Sequence, residues 1–170
     1  MCKSCWVFVV LFAAVTTLSG CAQQFIKESE MVPITTNRAA DANNEFRNNV
    51  AVRRIKEPPT RFDWALEKTI QNASWLRPSI SQAGYVVTPT LVEEVTPRGF
   101  QETSGSIYVR YVVTRSTDGA TVLDEKIFSS ASMGINEKFI GAARVAAVAE
   151  EYVKKNIQSF MYRLEAVGAK

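Results

Sequence analysis

Three cysteines and a complete absence of histidine set the limits of the chemistry open to this 170-residue chain. Without histidine, both the commonest general base at neutral pH and the commonest metal ligand are missing. Sites of the Ser-His-Asp, Cys-His and zinc-histidine kind are therefore excluded by composition. Cys2, Cys5 and Cys21 crowd the N-terminus, and removal of an apolar leader leaves Cys21 alone, with no partner for an intramolecular disulfide. Carboxylates occur as neighbours in Glu93-Glu94, Asp124-Glu125 and Glu150-Glu151. Adjacent residues on a strand point to opposite faces, so the first two pairs are poor candidates for a shared acid–base site. Glu150-Glu151 falls in a helical pattern near Lys154 and Lys155, where solvated i,i+4 pairing is expected. A serine cluster, Ser129, Ser130 and Ser132, follows Asp124 and Glu125, but no base accompanies it. The eight glycines form no GxGxxG, GxSxG or P-loop, and no S-x-x-K pair occurs. The expectation is a protein without catalytic residues, metal ligands or cofactor.

Composition bounds the architecture. At 46% apolar and 22% charged, the chain suits one globular domain plus an extension. The formal charge is +3, and beyond the first twenty residues there are 19 basic against 17 acidic side chains. That balance is too even for a nucleic-acid partner, which calls for a concentrated basic patch.

Taken along the chain, residues 48–56 are rich in valine and isoleucine and read as a first strand, ended by Pro58-Pro59. Thr60 stands three residues before Asp63, a capping-box-like start to a helix that carries Phe62, Ala65, Leu66, Ile70 and Ala73 on one face and stops near Leu76, ahead of Pro78. Residues 85–92 form a second strand, in which Pro89 demands an edge or a bulge because it cannot donate to a ladder. The clearest strand spans residues 107–114, with Ile107, Val109, Tyr111 and Val113 on one face and Tyr108, Arg110, Val112 and Thr114 on the other. Asp118-Gly119 signals a type I′ hairpin leading to a fourth strand over residues 121–130. Residues 129–134, small and polar, read as a loop, and residues 136–165 as one long helix. The order β-α-β-β-β-α predicts an α+β domain: a small, mostly antiparallel four-stranded sheet with two helices packed on one face.

The first twenty residues have the plan of a signal peptide: Lys3 charges the n-region, Trp6 to Val15 form the apolar stretch, and Ser19-Gly20 supply small residues. The apolar run is short for a bilayer span, which needs about 20 residues. Leu18-Ser19-Gly20-Cys21 resembles the bacterial lipoprotein box, in which the cysteine receives a diacylglycerol thioether and becomes the first mature residue. The alternatives are an uncleaved anchor and an ordinary secretory leader. More than one acyl chain on Cys21 gives a stable anchor, where a single chain binds only marginally. Ala22, rather than aspartate, follows the cysteine; resemblance to the enterobacterial sorting rule then implies the periplasmic face of the outer membrane rather than the inner membrane. The expected organisation is a leader over residues 1–20, a lipidated cysteine and tether over 21–44, and a periplasmic domain over 45–170.

Behind that cysteine, the Leu66-Glu67-Lys68 helix running to Gly84-Tyr85-Val86-Val87, the Tyr111-Val112-Val113 strand and the long Phe139 to Leu164 helix resemble small envelope lipoproteins. These are the YajG type, the ABC-transport auxiliary lipoproteins and the lipopolysaccharide-assembly lipoprotein. The resemblance implies a non-enzymatic adaptor or accessory subunit in envelope transport or assembly, held to the membrane by lipid on Cys21. Tyr108, Arg110 and Val112 are the expected partner-binding residues, because helices on the opposite face leave them uncovered. The competing reading is an enzyme or binder of envelope glycolipid or peptidoglycan using Asp124, Glu125 or the serine cluster. A third is a structural bridge between membrane and cell wall.

Overall fold

The computed structural model describes residues 26–33, 45–56, 60–77, 79–98, 101–137 and 141–168. The leader, Cys21 and most of the expected tether lie outside the described residues. The domain is α+β, with β1 (Val50–Val52), α1 (Arg61–Asn72), β2 (Tyr85–Arg98), β3 (Glu102–Arg115), β4 (Thr121–Gly134) and α2 (Gly141–Gly168) in the expected order. The four strands form one sheet in the order β1-β2-β3-β4. β1 runs parallel to β2, and the other two pairings are antiparallel.

The start of α1 is set by its capping box. Thr60 Oγ1 accepts the Asp63 N–H at 3.1 Å, and the Asp63 carboxylate accepts the Thr60 N–H at 2.9 Å. The other Asp63 oxygen accepts the Ile55 N–H at 3.1 Å, which turns the chain out of β1 and confines that strand to three residues instead of nine. α1 ends at Asn72, short of the expected Leu76, because the next residues are needed as backbone partners for β1. Ser74 adopts a left-handed φ of 58°, and the Trp75 carbonyl and Arg77 N–H then bond to Val50.

Pro89 meets its constraint in a particular way. β1 pairs only with Tyr85, Val86 and Val87 of β2, so Pro89 sits on β2 beyond the end of β1, where no ladder donor is required. β2 and β4 outrun their expected ends, reaching Arg98 and Gly134. Ser129 to Gly134, expected as a loop, are strand: they pair with Ile107 to Glu102 of β3. Their small size serves packing, since buried Ser129 and Ala131 lie on the face that α2 covers. The hairpin at Asp118-Gly119 is not type I′. Only Gly119 takes a positive φ, 72°, and the Arg115 N–H bonds to the Ala120 carbonyl across a four-residue loop.

α2, 28 residues and about 42 Å long, runs antiparallel to β4. Arg144 Nε donates to Thr103 Oγ1, Asn156 Nδ2 to the Ile127 carbonyl at 2.8 Å, and Arg163 meets Glu125 at 3.4 Å. The core between sheet and helices centres on Tyr111. Its ring stacks on Phe160 at 4.1 Å, it faces Phe62 of α1 at 6.4 Å, and its hydroxyl donates to Asn156 Oδ1 at 2.7 Å. Both helices therefore share the Ile107, Val109, Tyr111 and Val113 face of β3, all of it buried.

Part of the expected tether is docked. Glu28–Met31 form a 3-10 turn, Met31 is in the core at 4% exposure, and the Lys27 N–H donates to Glu150. Glu150 is consequently buried rather than solvated, while Glu151 pairs with Lys155 at 3.6 Å as the i,i+4 spacing implies.

Candidate functional site

β3 and β4 alternate, so burying Leu123, Ile127 and Ala131 beneath α2 sends Asp124, Lys126 and Phe128 to the opposite face of the sheet. Tyr108, Arg110 and Val112 lie on that same face. Neither helix covers it. Arg110 is not a free cation: Nε donates to Asp124 Oδ1 at 2.7 Å and Nη2 to Oδ2 at 2.6 Å, a bidentate pair. Hydrogen bonding and charge from Arg110 hold the Asp124 carboxyl below its ordinary value, and Asp124 in turn raises Arg110. Tyr108 packs edge-on against Phe128, with ring centroids 6.4 Å apart. Phe128 is 63% exposed, and the neighbouring Tyr162 of α2 is 56% exposed. β4 forms the rim of this surface, and among the described residues its outer edge carries no strand partner over 14 residues.

The structure thus brings Tyr108, Arg110 and Val112 together and adds Phe128 to them. The sequence carried a signal for Phe128: alternation from Leu123 and Ile127 assigns even-numbered positions of β4 to the outer face. The candidates for acid–base work separate instead. Asp124 is on the outer face with Arg110, whereas Glu125 is on the helical side with Arg163. Of the serines, Ser129 is buried, while Ser130 and Ser132 are exposed on the other side of the strand. Among the described residues no group of three or more acidic, cysteine or histidine side chains gathers to hold a metal ion. No described helix is long and apolar enough to cross a membrane.

No family model matches the sequence, and no curated protein matches it. Solved structures do. A candidate lipoprotein from Caulobacter crescentus is 12% identical, covers 77% of this chain and 98% of its own, and superposes with a TM-score of 0.59. A minor lipoprotein from Acinetobacter baumannii is also 12% identical, over 71% of this chain and 92% of its own, with a TM-score of 0.51. The chain shares its fold with bacterial lipoproteins. Protein XCC0632 from Xanthomonas campestris, of the family DUF330, has the same fold at 10% identity and a TM-score of 0.53, over 71% of this chain and 85% of its own. None of the three names a ligand or partner.

A second feature lies on the helical side, where sequence reasoning found none. Between the part of β2 beyond β1, the start of α1, the docked N-terminal segment and α2 there is an open cleft of about 480 Å³. At its border Tyr152 donates its phenol to Glu94 at 2.6 Å. Burial, together with the facing carboxylate, pushes that phenol far above its ordinary range. The two residues are 58 apart in sequence, so no local pattern could have paired them.

Proposed function

We propose that the chain is a lipid-anchored periplasmic protein that serves as a non-enzymatic accessory subunit of an envelope transport or assembly system. Cys21 carries the diacylglycerol thioether and acyl chains, Ala22 directs the protein to the outer membrane, and the domain binds an envelope protein partner through the outer face of its sheet. The observation that carries the reading is the lipoprotein box Leu18-Ser19-Gly20-Cys21 standing ahead of a domain whose fold lipoproteins share. The partner surface is supported by the uncovered Tyr108–Phe128 aromatic pair beside the Arg110–Asp124 ion pair. Aromatic residues and arginine are the types enriched where proteins meet. Asp124, Glu125 and the serines, which the enzymatic reading would use, lie on different faces of β4.

The test has two arms. Radiolabelled palmitate incorporates into the wild-type chain and not into Cys21→Ser; equal labelling of both overturns the anchor. Tyr108→Ala combined with Arg110→Ala abolishes co-purification with the partner while leaving the circular dichroism spectrum unaltered; undiminished co-purification removes this face from the function.

A further inference from the structure

The cleft on the helical side is an apolar site with a polar mouth. Its floor is Ile107 and Val109 of β3 with Val153 of α2, and its walls are Ile26, Met31 and Phe62. Leu91, 44% exposed on β2, overhangs it. Its volume lies in the range of about 300–1,000 Å³ typical of small-molecule sites, which are likewise mostly apolar with a few placed polar groups. At the mouth stand Lys56 and Arg61, the latter 3.9 Å from Glu28. The carboxylate there, Glu94, already accepts the Tyr152 phenol.

Position bears on what fills it. Ile26, a wall residue, is five residues from Cys21, so an anchor there holds the cleft within about 18 Å of the bilayer surface along the chain. We infer that the cleft takes one acyl chain of an anionic membrane glycerophospholipid, with Lys56 and Arg61 meeting its phosphate. The inference rests on the lipid anchor proposed above, because the anchor is what brings the cleft to the membrane. It adds a ligand to the accessory role: the domain reads or loosens a lipid of its own leaflet while its sheet face holds the partner.

The experiment reconstitutes the full lipidated chain in phosphatidylglycerol vesicles doped with a diazirine-acyl phosphatidylglycerol. A parallel sample uses phosphatidylcholine with the matching probe. After irradiation and digestion, adducts map to the peptides carrying Phe62, Leu91 and Val153. Leu91→Glu, which places a charge at a partly exposed position, lowers that labelling roughly tenfold, with circular dichroism reporting that the fold is kept. Labelling is several-fold greater in phosphatidylglycerol. Adducts confined to residues near Cys21, scattered evenly over the surface, or undiminished by Leu91→Glu overturn the site; equal labelling in the two lipids overturns the role of Lys56 and Arg61. The mass of the Cys21 peptide from the same digest separates the two claims. An unmodified Cys21 overturns the anchor and this inference with it, whereas a lipidated Cys21 without cleft adducts overturns the inference alone.

Discussion

Asp63→Ala removes the one side chain that joins three pieces of the fold. The Asp63 carboxylate is fully buried and accepts the Ile55 N–H at 3.1 Å, the Thr60 N–H at 2.9 Å and the Thr60 hydroxyl at 2.7 Å. A hydrogen bond to a charged group is worth about 1.5–3 kcal/mol, while Thr60 Oγ1 still accepts the backbone N–H at position 63, so only the carboxylate half of the capping box is lost. Against this, the alanine variant no longer has to desolvate a carboxylate, which offsets part of the loss. The net expectation is a destabilisation of about 3 kcal/mol, which for a domain of this size lowers the melting temperature by roughly 6–12 °C. Asp63→Asn keeps an acceptor oxygen and should lose about half as much. Urea unfolding followed by tryptophan fluorescence measures both, with Trp75 in the core as reporter. Because Thr60 and Ile55 also border the cleft, lipid labelling should fall in the alanine variant. An Asp63→Ala protein within about 0.5 kcal/mol of wild type would show this ledger to be wrong, since leaving the Ile55 and Thr60 N–H groups without their acceptor cannot be that cheap.

Other perturbations test the remaining contacts. Asn156→Leu strands the Tyr111 hydroxyl and the Ile127 carbonyl in the core and should cost about 2–4 kcal/mol in the same assay, whereas Tyr111→Phe should cost about 1 kcal/mol. Gly105→Ala places a Cβ 2.9 Å from both Pro97 Cγ and the Val95 carbonyl and 3.1 Å from the Tyr152 ring, so a loss of about 1–3 kcal/mol and broadened amide signals along β2 and β3 are expected. Tyr85, Tyr111 and Tyr152 all have raised phenol pKa values, caused first by burial. In the unfolded chain these phenols ionise near pH 10, while in the folded protein each holds its proton to higher pH. Their contribution to stability is therefore complete below about pH 10 and declines as pH rises beyond it. Spectrophotometric titration should show Tyr111 and Tyr152 ionising only on unfolding, and Tyr85 ionising above the ordinary phenol range.

The elements legible in the sequence were those with strong local signals. β3 could be read face by face because Ile107, Val109, Tyr111 and Val113 alternate without interruption. Thr60 and Asp63 announced the start of α1 because a capping box is a four-residue motif. Tyr108, Arg110 and Val112 could be assigned to one face for the same reason. The misread pieces were decided by partners distant in sequence. Ser129 to Gly134 look like a loop until β3 and α2 are present to pair and cover them. α1 stops early because Trp75 and Arg77 bond to Val50, and Glu150 is buried because Lys27, 123 residues away, docks on it. The cleft was invisible for the same reason: Ile26, Leu91 and Tyr152 become neighbours only through the tertiary fold.

The proposed role requires Cys21 to present the outer sheet face to an envelope protein. In intact cells, a photocrosslinking amino acid replaces Phe128, 63% exposed on that face, and in a second strain replaces Lys68, exposed on α1. One discrete protein adduct is expected from position 128, none from position 68, and the adduct is expected to vanish when Cys21→Ser removes the anchor. No adduct from position 128, or the same adduct from position 68, would contradict it.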